Sequence, residues 1–132
     1  MFEEPISEER SQDIRDLIKE EVKKRNFREA ANISGHFLAS MLMDELEKGT
    51  RSWIEGFNNT YQVISFSIDL IQDMRPEDRE ICKNIRAQIK EITLRIGNET
   101  REGKKADADE NDKRELFDLV HQLRKILLPK ED

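Results

Sequence analysis

The run WIEGFNNTYQVISFSIDLIQDM, Trp53 to Met74, is the stretch whose reading decides the fold. Ile54, Phe57, Tyr61, Ile64, Ile68 and Ile71 recur in steps of three and four, which lays them along one side of a helix. Val63, Phe66, Leu70 and Met74 form a second line that widens the apolar arc in the later turns. No charged residue stands between Glu55 and Asp69, although Asp, Glu, Lys and Arg make up 39% of the chain. A segment so poor in charge is badly suited to a solvated surface, and it reads as the central helix of an all-α bundle.

The residues before it support that reading. Helix two is expected from Phe27 to Lys48, closed by Gly49, and it carries no formal charge from Ala30 to Met43. Thr50 can cap helix three immediately afterwards, which makes a short antiparallel hairpin. With the turn there, residues whose numbers total about 99 face each other, so the two uncharged windows coincide. Ala31, Gly35 and Ala39 on one helix and Gly56 and Thr60 on the other bring small residues to the contact, where backbones can approach closely.

Outward from the hairpin, Ser7 caps a first helix that runs to about Arg25, with a narrow stripe of Ile14, Leu17, Ile18 and Val22. Asn26 both ends it and opens helix two through a capping-box spacing with Glu29. Pro76 starts helix four, whose Ile81, Ile85, Ile89, Ile92 and Ile96 form one seam ended by Gly97 and Asn98. From Gly97 to Asn111 the chain is most polar, has no large apolar side chain and reads as a flexible loop. Asp112 and Glu115 have the spacing of a second capping box, and Leu116, Leu119, Val120, Leu123, Ile126 and Leu127 give helix five its buried face. The expectation is thus one all-α domain over residues 1–132, a four- or five-helix bundle around the helix 2/helix 3 hairpin.

Charge limits the partners. The 23 basic and 29 acidic residues leave a net charge of −6, which disfavours nucleic acid as the default partner. No uncharged window approaches the roughly 20 residues that a membrane span needs. Cys82 is the one cysteine, so no internal disulfide can form and a reducing, cytoplasmic setting is expected. Met1 to Pro5 lacks the apolar run of a secretion signal, which points the same way.

Few residues suggest chemistry. His36 lies in the uncharged window of helix two, and a small-molecule pocket between helices two and three would use it with Asn58, Asn59 and Gln62. Asp107, Asp109, Asn111 and Asp118 fall at calcium-loop positions, but Asp112 replaces the glycine that such a loop needs for its turn. No metal and no cofactor is expected. Arg114 and His121, separated by six residues, are the weak catalytic candidates. Their spacing resembles the Arg-x(4–6)-His pattern of HEPN nucleases, small all-α proteins that cleave RNA as dimers. The resemblance covers these two residues. It implies a ribonuclease in which His121 serves as acid or base and Arg114 steadies the phosphorane, paired across a dimer.

Against that stands a non-enzymatic module that binds protein, including another copy of itself. Phe66 points to the side of helix three occupied by Asn59, Gln62 and Asp73, where an internal partner is hard to assign. An aromatic beside amides has the composition of a modest interface, so Phe66 and Trp53 are the interface candidates.

Overall fold

The structure, a computed structural model, describes residues 8–48, 53–101 and 109–128. Among the described residues five helices follow one another: α1 (Glu8–Lys23), α2 (Phe27–Lys48), α3 (Trp53–Leu70), α4 (Pro76–Arg101) and α5 (Glu110–Leu127). The fold is an all-α bundle, with no strand among the described residues. Gly49 and Thr50, expected to make the hairpin turn, lie outside the described residues, as does the middle of the polar loop, 102–108.

The α2/α3 hairpin forms in the expected register. A side chain at Gly35 would meet Ile64, and one at Gly56 would meet Met41, pairs whose numbers total 99 and 97. Phe57, Ile64 and Ile68 are buried on α3, and Ala31, Leu38 and Leu42 are buried on α2.

The centre of the bundle is α2, however, and not α3. Helix α2 packs against α1, α3 and α5, whereas α3 barely touches α4. Phe37 on α2 meets Ile14 and Ile18 of α1, and Gly35 lies against Ile64 on one side and the Arg124 side chain on the other. Ala30, Ala31, Ser34, Gly35 and Ala39 make α2 slim enough to be enclosed from three directions. Large apolar side chains marked α3 as buried, but small ones allow α2 to be surrounded.

Local chemistry sets the helix ends. The Asn26 amide donates to the Glu21 carbonyl and the Arg25 amide to the Val22 carbonyl, which is a Schellman closure of α1. The left-handed position falls on Arg25 at φ 62°, one residue before the Asn26 that the sequence suggested. Helix α3 stops at Leu70, short of Met74; the Ile68 carbonyl accepts the Ile71 amide at 3.2 Å, and the Arg79 guanidinium donates to the Ile68 and Ile71 carbonyls at this end.

Gly97 and Asn98 do not end α4, which continues to Arg101. Ile96 is fully buried, and the Thr100 hydroxyl donates to its carbonyl at 2.8 Å. Packing at Ile96 thus outweighs the roughly 1 kcal/mol helix penalty of one glycine. At the far side of the polar segment α5 begins at Glu110, with Asp109 as its N-cap, and so starts earlier than the expected cap at Asp112.

Two apolar positions also differ from expectation. Leu17 is 55% exposed and faces away from α2. Ile81 is exposed as well, while Cys82 on the other flank of the same stripe is fully buried with Ile85, Ile89, Ile92 and Ile96. Burial pushes the Cys82 thiol above its ordinary range.

Candidate functional site

Helices α2 and α5 run antiparallel, and the sequence had not assigned them to each other. On their outer side α5 presents Arg114 and His121, both exposed, with Phe117 between them. The His121 ring stacks on Phe117, with centroids 5.7 Å apart and planes within 11°. Arg114 pairs at 3.5 Å with Glu110 one turn earlier, an exposed pair of little energetic consequence. The half-buried His36 of α2 faces the same region. Its pKa lies below the ordinary 6.5, because burial disfavours the imidazolium and Arg124 and His121 repel it. His36 is thus within electrostatic reach of Arg124 and His121 on α5.

This divides the pocket expected between α2 and α3. That seam is closed by Gly35 against Ile64 and by Gly56 against Met41. Asn58 and Gln62 turn instead toward α4, where they line an open groove of about 930 Å³, while Asn59 is exposed. One wall of the groove is α4, with Arg79, Lys83, Arg86 and Lys90 spaced along three turns and Glu80 among them. Tyr61, Ser65 and Asp69 continue the α3 wall. Arg86 grips Asp69 with both terminal nitrogens, at 2.6 and 3.3 Å, and the Tyr61 hydroxyl donates to the Arg86 carbonyl at 3.3 Å. Burial raises Tyr61 to about pKa 12, so it stays a neutral donor. Lys83 and Lys90 are exposed and have no ion-pair partner among the described residues.

The inner side of the α2/α5 seam holds an ion pair that sequence reasoning missed. Lys113 Nζ lies 3.0 Å from Glu45 Oε1, with the two side chains 7% and 0% exposed. Trp53 of α3 closes the pair, its ring centroid 5.9 Å from the ammonium. Trp53 is itself only 5% exposed and meets Phe57 edge-on at 6.0 Å, so it serves the core and is not the surface residue an interface would need. The signal was present in the sequence. Lys113 continues the seam of Leu116, Val120, Leu123 and Leu127 in steps of three and four, and Glu45 likewise continues Leu38 and Leu42. A charge on an apolar seam asks for an opposite charge on the facing helix.

Acidic groups gather where α4 meets the start of α5. Glu99, Asp109 and Asp112 can bring carboxylate oxygens within 4.8 Å of one another. Arg95 already answers this charge, with a guanidinium nitrogen 2.7 Å from Asp112 and 3.9 Å from Glu115. Asn111 and Asp118 both lie within α5, so the twelve-residue calcium loop drawn from 107 to 118 does not form.

Phe66 is 53% exposed, and its ring meets that of Phe27 edge-on at 6.3 Å. Leu70, one turn on, is 37% exposed, so the two form a small apolar patch on the outer face of α3. No described helix is long and apolar enough to cross a membrane. What fold and site define is an all-α bundle, of five helices among the described residues, with an open groove between α3 and α4 and an exposed Phe66 packed on Phe27. No protein-family model, no curated protein and no solved structure matches this chain.

Proposed function

We propose that this chain is a non-enzymatic helical interaction module that associates with itself and works in the cytoplasm. One observation carries the proposal: Phe66 stands out from α3 with half its surface in water, beside Leu70 and the amide of Gln62. A large ring held there by Phe27 is preorganised for a partner and loses little side-chain freedom on being covered. The single thiol, buried on α4, suits a reducing compartment.

Light scattering coupled to size exclusion tests the proposal. At micromolar concentration the mass should be twice the 15.6 kDa of one chain. Phe66→Glu should move it toward one chain while leaving helical circular dichroism unchanged. A wild-type mass of one chain ends this reading.

RNA cleavage is the second reading, favoured by the exposure of Arg114 and His121 on one side of α5 with His36 close by. On this reading the wild-type chain cleaves single-stranded RNA, and His121→Ala and Arg114→Ala each abolish cleavage. A wild-type chain with no such activity removes it.

A further inference from the structure

Arg124 stands where its charge gains nothing from the side chains around it. Its stem lies over Gly35, with Cβ 3.4 Å from the point where a side chain on that glycine would begin. The residue is half-buried, and its enclosed Nε has no hydrogen-bond partner. Nor does Arg124 join an ion pair among the described residues. The groups beside it carry, or can take up, the same sign of charge. His121 lies one turn earlier on the same side of α5, and His36 follows Gly35 directly on α2. Arg124 and His121 both act against a proton on His36. The acids of this seam are engaged or distant: Glu110 holds Arg114, Asp118 is exposed one turn before His121, and Glu47 is about three turns along α2 from His36. A buried donor rarely goes without a partner, and an anion held between these groups would both satisfy the donor and turn their repulsion into attraction.

We propose that His36, His121 and Arg124 form a binding site for a phosphate group, carried by a free phosphate ion or by a small phosphate ester. The guanidinium is a planar fork of donors that matches two phosphate oxygens at once. Each imidazole adds an N–H from its own side of the seam, His36 from α2 and His121 from α5. Phe117 stacks on the His121 ring, with centroids 5.7 Å apart, and so limits its rotation before a ligand arrives. The net charge of −6 favours a small ligand over a strand that carries many phosphates. This site is separate from the self-association proposed above, whose Phe66 and Leu70 stand on the outer face of α3. It also needs no cleavage, since Arg114 is held by Glu110 and takes no part.

Magnetic resonance of the two imidazoles in the full chain tests the site. Inorganic phosphate, added at constant ionic strength, should move the His36 and His121 signals along one saturable curve. Arg124→Gln, which keeps most of the stem over Gly35, should weaken that binding about tenfold or more, as expected for loss of a charged hydrogen-bonding partner. Lys19→Gln, at an exposed position on α1, should leave it unchanged. A nucleoside monophosphate in a parallel titration separates the two sources: tighter binding than inorganic phosphate supports the ester, and equal binding supports the free ion. Signals that move with neither ligand overturn the site. So does an equal loss in Arg124→Gln and Lys19→Gln, which would mean general attraction between charges. Should circular dichroism show Arg124→Gln to be unfolded, the double variant His36→Gln, His121→Gln decides by calorimetry, and phosphate binding as tight as in wild type overturns the proposal.

Discussion

The α2/α5 and α3/α4 seams are both made by helix pairs, yet one is closed and the other is open. At the first, Gly35 lets the Arg124 stem come within 3.4 Å of where a side chain would begin, and a buried ion pair locks the far end. At the second, the half-buried Arg86 bridges to an exposed Asp69, and about 930 Å³ of groove lies between the helices. Side-chain size accounts for the contrast. Small residues draw two backbones together, while long cations along α4 hold theirs apart and keep the space between them wet. The difference shows that charge can be structural or available within one small bundle, depending on whether the facing helix excludes water.

The most damaging test of this contrast strikes the closed side. Ile64, fully buried against Gly35, becomes an unpaired buried charge in Ile64→Asp, and the cooperative thermal transition seen by circular dichroism should be lost. A melting temperature within about 2–3 °C of wild type would show the seam to be misassigned. Next, Lys113→Met removes the charge facing Glu45 and should cost about 3–5 kcal/mol in urea unfolding, whereas adding Glu45→Leu should recover most of the loss. A double variant as weak as the single one contradicts a pair that acts mainly through mutual neutralisation.

On the open side, Arg86→Ala should cost no more than about 1 kcal/mol, because the Asp69 carboxylate is largely in water. A loss as large as that of Lys113→Met would mean that the groove is closed in solution. The smallest effect concerns His36. Its folded pKa lies below the unfolded 6.5, so the unfolded chain takes up the proton first as pH falls. The contribution is complete above pH 6.5 and declines as pH drops from there toward the folded value. Urea midpoints at about pH 7.5 and 5.5 should therefore differ more for wild type than for His36→Gln, and equal differences would place His36 in water.

Fold class and the α2/α3 register were legible because both rest on local pattern. The uncharged windows and the positions of Gly35 and Gly56 needed only helical periodicity and one turn. The role of α2 was harder to read, since hydrophobicity marks which residues are buried but not how many helices surround them. Small residues such as Ala31 and Gly35 carry that information in their size. The continuation of α4 past Gly97 depended on burial of Ile96, which no local rule supplies. At the candidate site, the exposure of Phe66 could be read from the helix it sits on. The placement of His36 beside Arg124 and the pairing of Glu45 with Lys113 required knowing that α5 returns to α2 and not to α3 or α4.

The Glu45–Lys113 pair also bears on the order of assembly. Its members are 68 residues apart in sequence, while α1, α2 and α3 follow one another directly. Contacts among the first three helices can form early and fast, and α5 reaches α2 only after a long loop has closed. If α5 arrives one turn out of place, Leu116 lands where Lys113 belongs and the carboxylate is dehydrated against an apolar side chain. The penalty falls on the misregistered arrangement, so this pair favours the register in which Lys113 meets Glu45.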